Sequence, residues 1–277
     1  MTRRIELVVL GAWAVGACSP TVCPEGGAVS PPEPLVPTSA GYLSYAHAHN
    51  DYEHERPLLD ALDQGFHSVE ADLWYRNGDL HVSHARGSSA GLLADLYLDP
   101  LQELVDASGS VLGDGEAFFL WLDLKEGQPE LRDALHQELG GYDMLTTFAD
   151  DEVVQGPVTA ILTGSAESKE AYVDEHELRF AARDSNDFSP DDPPADNGWR
   201  YYALRWGRWV GGQPELGDDE LERLHCIVTI AHELGRGVRF YGTPETEAYW
   251  GLAVDSGVDF IGTDELEELS TFLEGLE

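Results

Sequence analysis

Short apolar runs alternate with helix-like runs along the chain from about residue 41 onwards. Apolar runs of this length, bounded by turn residues, are typical of buried parallel strands. The predicted strands are Tyr42–Ala46, Ser68–Leu73, Leu80–Ser83, Ala117–Leu124, Val158–Leu162, Arg179–Ala182, Val238–Tyr241 and Phe260–Ile261. Helices are predicted near Arg56–Gln64, near Pro100–Ala107 and from Asp218 onwards, where apolar residues recur at helical spacing. This alternation predicts the α/β class and a single-domain (β/α)8 TIM barrel, whose fourth and sixth strands are the least clearly marked.

The first 18 residues have the composition of a targeting segment. Arg3 and Arg4 precede the apolar stretch Leu7–Val15, and small residues lead into Cys18. This pattern resembles a bacterial lipoprotein signal with Cys18 as the lipidated residue. We therefore expect an exported protein, anchored to a membrane of the cell envelope and facing the periplasm or the outer surface. The alternative is an ordinary secretory signal, with Cys18 and Cys23 paired in a disulfide.

The signal is followed by two further predicted regions. Residues 19–40 are rich in Pro, Gly, Ser and Glu, which predicts a flexible tether. Residues 41–277 are then one predicted catalytic domain, because α/β barrels of this length are commonly single domains.

The charge of the chain restricts its partners. It has 52 acidic and 16 basic residues, and its formal net charge at pH 7 is −36. Such a field repels nucleic acid and anionic membranes, so we expect no nucleic-acid partner and membrane attachment only through Cys18. A negatively charged substrate then needs a bound cation and a few local basic groups. The alternative explanation of the charge is a solvated acidic surface or adaptation to salt.

Carboxylates lie at the ends of two predicted strands. Glu70 and Asp72 are two residues apart, so their side chains point to the same face of a strand and can hold one cation. Asp123 ends the apolar strand that contains Phe118–Leu122, and it leads directly into Lys125, one of only two lysines in the chain. Catalytic residues of β/α barrels cluster at the carboxyl ends of strands. The pattern therefore predicts a metal site, and together with the histidines at 49 and 84 it looks like a metal-assisted phosphodiesterase site.

Several segments resemble the glycerophosphodiester phosphodiesterase and phosphatidylinositol phospholipase C-like superfamily. They include His47–Tyr52, Ser68–Trp74 and His81–His84, and the nearer similarity is to the bacterial exported branch that opens with His-Asn-Asp-Tyr. Tyr241–Pro244, Trp250 and Ile261–Leu266 resemble the closing strands of that branch, so the resemblance runs from about residue 43 to 270. The Asp-Leu-Lys segment at 123–125 is also similar to the sphingomyelinase D branch.

The resemblance implies a set of roles for these residues. It implies that His49 and His84 are the acid/base pair, and that Glu70, Asp72 and Asp123 hold Mg²⁺ or Ca²⁺. Phosphodiester cleavage needs such groups, because the attacking oxygen loses a proton, charge builds on the phosphoryl oxygens and the leaving alkoxide gains a proton.

The order of the two histidines and the nature of the attack stay open. We provisionally place His49 on the attack side and His84 at the leaving group. Lys125 would neutralise a phosphoryl oxygen or steady the metal carboxylates. Water and a neighbouring substrate hydroxyl can each be the attacking group, which would give hydrolysis or ring closure respectively.

Two departures from the superfamily pattern bear on the substrate. Glycerophosphodiesterases commonly follow the second histidine with Asp, whereas His84 precedes Ala85. Their usual His-Arg-Gly opening is replaced by His49-Asn50-Asp51. Substrate choice is therefore not transferable from the superfamily. The resemblance implies only a glycerophosphodiester or a phospholipid as substrate, with the headgroup left open.

Other interpretations compete with this one. The segment Gly87–Gly91 fits the Gly-x-Ser-x-Gly form of a serine esterase with Ser89 as nucleophile, but it does not follow a buried strand as such an elbow should. A non-catalytic surface lipoprotein that binds a phosphorylated ligand is the second alternative. We expect His47 to be structural. Arg205, Arg208 and Arg239 could each bind phosphate, but arginine in so acidic a chain more often pairs with a neighbouring carboxylate.

Overall fold

Eight parallel strands close into a barrel in this computed structural model, which describes residues 41–150, 152–212 and 215–276. The strands of the described chain, numbered β1 to β12 in order, are Ala46–Ala48, Ser68–Arg76, Asp79–Val82, Gly91–Leu92, Phe118–Leu124, Thr147–Phe148, Val153–Val154, Val158–Gly164, Ala181–Ser185, Trp199–Arg205, Gly237–Tyr241 and Phe260–Thr263. The helices α1 to α8 are Leu59–Asp63, Asp99–Ser108, Pro129–Leu139, Ala166–Glu175, Trp206–Trp209, Asp218–Glu233, Glu247–Asp255 and Leu266–Glu274.

The barrel order follows the chain and returns to its start. Neighbouring strands pair in the order β1, β2, β5, β8, β9, β10, β11 and β12, and β12 pairs with β1. The short strands β3 and β4 extend β2 as an antiparallel edge, and β6 pairs with β7 outside the barrel. The predicted (β/α)8 architecture is therefore confirmed.

Aromatic side chains fill the barrel interior. Trp121, Phe119 and Phe260 meet edge to face, with ring centroids 5.3 Å apart for Trp121–Phe260 and 5.0 Å apart for Phe119–Phe260. Trp121 is fully buried and also contacts the ring of His47 at 5.8 Å. Packed aromatic layers of this kind make the barrel a solid core. They form the floor on which His47 and the site residues next to it rest.

Some predicted elements differ from those observed. Tyr42–Tyr45 is a 3-10 turn, and the first strand begins only at Ala46. The hydroxyl of Ser44 donates to the carbonyl oxygen of Gly41 at 2.8 Å, a local bond that competes with extended backbone. The barrel strand Trp199–Arg205 was not predicted, and neither were α3, α4, α7 and α8.

The N-terminal predictions fall on residues that the structure does not describe. The signal at 1–18 and the tether at 19–40 both lie before residue 41. Among the helices that are described, none has both the length and the apolar character needed to cross a membrane.

Candidate active site

Three carboxylates converge at the carboxyl ends of β2 and β5. Glu70 and Asp72 alternate along β2, and the parallel register places Asp72 directly beside Asp123 of β5. One oxygen from each of the three side chains lies within 4.8 Å of the others. Glu70 and Asp72 are buried, and the side chain of Asp123 is 17% exposed. The predicted metal-ligating residues are thus brought together.

The surroundings of these carboxylates fit a bound divalent cation. Burial raises the pKa of Asp123 to about 6, and the charge of Glu70 adds to this effect. Burial also raises the pKa of Asp72, against the opposing effect of Lys125. Both oxygens of Asp72 are buried, and Oδ1 has no hydrogen-bond partner among the described residues, whereas Oδ2 faces Lys125. Three hard oxygen donors around an under-satisfied carboxylate are the donor set that Mg²⁺ and Ca²⁺ prefer.

Lys125 joins two of the carboxylates. It follows β5, and its Nζ atom lies 2.6 Å from Asp123 Oδ2 and 2.8 Å from Asp72 Oδ2. Burial alone would lower the pKa of Lys125, but the two aspartates outweigh it, and the pKa is raised. The ammonium group therefore stays charged beside the cluster.

His49 comes directly after β1 and pairs with an aspartate from the last strand end. Its Nδ1 atom lies 2.8 Å from Asp264 Oδ1, and its backbone N–H donates to the carbonyl of Thr263. Burial lowers the pKa of His49, but the hydrogen bond to Asp264 and the charge of Glu70 outweigh it, so the pKa is raised. Because Nδ1–H donates to Asp264, Nε2 is the ring nitrogen that this pair does not use.

His84 is more exposed than His49. It lies in the loop between β3 and β4, its side chain is 67% exposed, and its Nδ1 atom is 3.4 Å from Asp72 Oδ2. The structure therefore brings His84 to the rim of the carboxylate cluster, whereas His49 is 38% exposed at its side chain and lies inside the barrel mouth.

A buried arginine and histidine complete the site. Arg239, on β11, contacts Glu70 Oε2 and His47 Nε2 through its Nη1 atom. Burial and the charge of Arg239 lower the pKa of His47 to about 4, so this imidazole is neutral at pH 7. Its Nδ1 atom lies 2.8 Å from Ser68 Oγ. Burial alone would raise the pKa of Glu70, but Arg239 and His47 outweigh this effect and hold it well below its usual range.

Both ring nitrogens of His47 are engaged within the fold. Nδ1 faces Ser68 Oγ, and Nε2 lies beside Arg239 Nη1 and 3.2 Å from Glu70 Oε2. The burial of His47 among these groups agrees with the structural role expected for it, and Arg239 is paired with a carboxylate. The sequence signal for Arg239 is a charged residue between Val238 and Phe240 in a strand that is otherwise apolar.

Two cavities open beside the site. One has a volume of about 210 Å³ and is lined by His49, Glu70, Asp123, Thr163, Gly164, Asn186, Arg239 and Tyr241. The other, of about 240 Å³, lies towards Thr243, Glu245 and Asp264. His49, Arg239 and Tyr241 line both. The two cavities therefore adjoin at the mouth of the barrel.

The geometry argues against a serine esterase. Ser89 lies in an exposed loop that joins the edge strands β3 and β4, and its hydroxyl is 3.0 Å from Nδ1 of the half-buried His81. A nucleophile elbow requires a sharp turn from a buried strand into a helix. This loop provides neither element.

Comparisons with known proteins identify the family to which this chain belongs. The model of the AIM6-like phosphodiesterase domain matches residues 43–181. The chain is 26% identical to Altered inheritance of mitochondria protein 6 of Lachancea thermotolerans, over 90% of this chain and 69% of the relative. It is 28% identical to the protein of the same name from Eremothecium gossypii, over 83% of this chain and 69% of the relative.

Solved structures extend the agreement to the fold. A glycerophosphodiester phosphodiesterase from Parabacteroides distasonis superimposes with a TM-score of 0.54 and 17% identity, covering 84% of this chain and 98% of its own. The barrel fold is thus shared with glycerophosphodiester phosphodiesterases. The matching domain model shows that the chain belongs to the AIM6-like phosphodiesterase domain family.

The relatives correct the predicted localisation. They are yeast proteins whose name refers to mitochondria, not bacterial lipoproteins. The prediction of a membrane-anchored bacterial lipoprotein with a lipid on Cys18 is therefore wrong. A basic start followed by an apolar run is shared by several kinds of targeting segment, so the composition did not identify one of them.

Proposed function

We propose that this protein is a metal-dependent phosphodiesterase that cleaves a glycerophosphodiester or a phospholipid by acid/base catalysis with His49 and His84. The observation that carries the proposal is the cluster of Glu70, Asp72 and Asp123, within 4.8 Å of one another and next to His49 at the mouth of the barrel. The family of phosphodiesterase domains to which the chain belongs supports the same reaction class.

Glu70, Asp72 and Asp123 would hold the divalent cation. When bound there, Mg²⁺ or Ca²⁺ would supply positive charge to the phosphoryl oxygens. The chain's own contribution to the same charge is Lys125, whose ammonium lies at the Asp72 and Asp123 side of the cluster. It would neutralise a phosphoryl oxygen as negative charge grows there.

His49 would act on the attacking oxygen. Asp264 holds the ring of His49 in place and raises its pKa. Neutral His49 is therefore a stronger base at Nε2 than an unpaired histidine would be. The attacking group is water or a neighbouring hydroxyl of the substrate, and either one gives up its proton to Nε2 in this arrangement.

His84 would protonate the leaving alkoxide. Its position on an exposed loop lets it reach a substrate that enters from solvent, while Asp72 lies 3.4 Å from its Nδ1 atom. The reverse assignment of the two histidines uses the same geometry and is distinguished by experiment below.

The test is product analysis by phosphorus NMR. Purified protein with Mg²⁺ or Ca²⁺ is incubated with glycerophosphodiesters, phosphatidylinositol and sphingomyelin, and with Asp72→Asn as a matched inactive control. We expect at least one substrate to yield a phosphomonoester or a cyclic phosphate, which have distinct resonances, and the variant to yield neither. Absence of cleavage across the panel would favour a binding protein that does not catalyse.

A further inference from the structure

Arg239 is a buried cation whose donors the barrel does not fully use. It is 4% exposed, and its guanidinium lies over the ring of Trp121, 4.5 Å from the centroid. Nη1 contacts Glu70 and His47, whereas Nε is buried without a hydrogen-bond partner in the described part of the chain. A buried donor without a partner is costly, so it marks a place where a ligand is expected to supply the acceptor.

The position of Arg239 is also that of a binding residue. It lines both cavities, and it is the one arginine or lysine among the described residues that line the cavity next to Glu70 and Asp123. His47 and Trp121 fix the guanidinium from two sides, so little motion remains to be lost when an anion binds. A planar guanidinium matches the oxygens of a phosphate.

The charges of the site lead to the same conclusion. Glu70, Asp72 and Asp123 carry three negative charges when ionised, and Lys125 and Arg239 carry two positive charges. With a divalent cation bound, the sum becomes +1, which a phosphodiester monoanion neutralises. Lys125 lies at the Asp72 and Asp123 side of the cluster, and Arg239 lies at the Glu70 side.

We propose that Arg239 is a phosphate-binding residue of this site, which donates from its guanidinium to a non-bridging phosphoryl oxygen while it holds Glu70. The inference deepens the proposed function and rests on it. The competing explanation is that Arg239 only compensates the buried charge of Glu70. The two explanations differ in whether phosphate affinity depends on Arg239 when the metal site is filled.

The experiment is calorimetric titration of inorganic phosphate into the full chain at saturating Mg²⁺. Arg239→Met keeps the apolar stem and removes the donors. We expect its phosphate affinity to fall about 10- to 100-fold, as for the loss of a charge-assisted hydrogen bond. We also expect its Mg²⁺ affinity, titrated separately, to be at least as high as that of the wild type, because no cation then competes for Glu70.

Arg236 supplies the matched control. It is also buried and stacked on a tryptophan, Trp199, at 3.7 Å, but its Nη1 atom donates to the carbonyl of Pro193 at 2.7 Å, and it lines neither cavity. Arg236→Met should lose thermal stability and keep the phosphate affinity of the wild type. An equal loss of phosphate affinity in both variants would overturn the proposal.

Arg239→Lys keeps the result interpretable if the methionine variant does not fold. It retains the positive charge beside Glu70 but lacks the planar N–H donors of a guanidinium. Its phosphate affinity should therefore be weaker than that of the wild type by more than about twofold, with Mg²⁺ binding intact. Phosphate affinity within about twofold of the wild type, in whichever Arg239 variant folds, would show that Arg239 only compensates Glu70.

The titration also separates this inference from the proposed function, because phosphate binding requires no turnover. Arg239-dependent binding without any cleavage would support the inference and contradict the enzyme. If the protein cleaves phosphodiesters but binds phosphate equally well without Arg239, the inference about Arg239 is wrong and the proposed function stands. If the wild type binds no phosphate, the inference about Arg239 is also wrong.

Discussion

Replacing Asp264 by Asn should move the pH dependence of activity through His49. The side chains of His49 and Asp264 are 38% and 58% exposed, and Nδ1 lies 2.8 Å from Oδ1. At such exposure, solvent screens the attraction, and exposed pairs of this kind contribute about 0.2 to 1 kcal/mol. Loss of this attraction should therefore lower the pKa of His49 in Asp264→Asn.

The pKa of His49 can shift only downwards in this variant. Which limb of the pH profile of kcat/KM moves with it, the acidic or the alkaline one, assigns the role of His49. The folded protein holds the pKa of His49 above its usual value, so removal of Asp264 lets the imidazolium lose its proton at lower pH. The pH dependence of kcat/KM reports the free enzyme. If His49 is the general base, the acidic limb moves to lower pH. If it is the general acid, the alkaline limb moves to lower pH instead.

Asp187→Asn is the control for the change in net charge. Asp187 is 76% exposed at its side chain and pairs with Arg208 at 2.6 Å, and it lines neither cavity of the site. This variant should leave both limbs in place. Limbs that stay within about 0.1 pH unit of the wild type in Asp264→Asn, or that move to higher pH, would refute the role of Asp264.

Two further predictions concern the histidine pair and the metal. His49→Ala and His84→Ala should each fold and bind metal like the wild type but lose at least about 100-fold in turnover. A nitrophenyl phosphodiester has a leaving group that needs little protonation, so it should restore turnover only in the variant that lacks the general acid. Restored turnover in neither variant, or in both, would contradict the assignment of one acid and one base. Chelation should lower the melting temperature of the wild type, because the stabilisation by the bound cation is lost and three carboxylates are left with only Lys125 and Arg239 as countercharges. Asp72→Asn should lose turnover, and its melting temperature should depend less on metal than that of the wild type. Calorimetry with and without chelator measures both melting temperatures. An equal change on chelation in the two proteins would argue against Asp72 as a metal ligand.

The barrel and the carboxylate cluster could be predicted because both depend on local pattern. Apolar runs mark the strands, and the alternation of a strand places Glu70 and Asp72 on one face. The carboxyl ends of parallel strands meet at one rim, so the approach of Asp123 followed from topology. The strand Trp199–Arg205 was missed because arginines at 200 and 205 and tyrosines at 201 and 202 interrupt its apolar pattern.

The partners within the site could not be predicted in the same way. Arg239 and Glu70 are 169 residues apart, and His49 and Asp264 are 215 residues apart. A strand pattern shows that a residue points inward, but the identity of the neighbour it meets depends on register across the barrel. The exposure of His84 depends on the path of a loop. Loops lack the regular side-chain periodicity from which burial can be predicted.

Turnover of a phosphodiester by metal-stripped and metal-restored protein tests the central claim most directly. The wild type is dialysed against chelator, assayed on the best substrate found, and assayed again after Mg²⁺ or Ca²⁺ is returned, with Asp72→Asn treated in parallel. We expect activity that disappears on stripping and returns with metal in the wild type only. Full activity of the wild type in excess chelator, or restored activity in Asp72→Asn equal to that of the wild type, would contradict a metal-dependent phosphodiesterase at Glu70, Asp72 and Asp123.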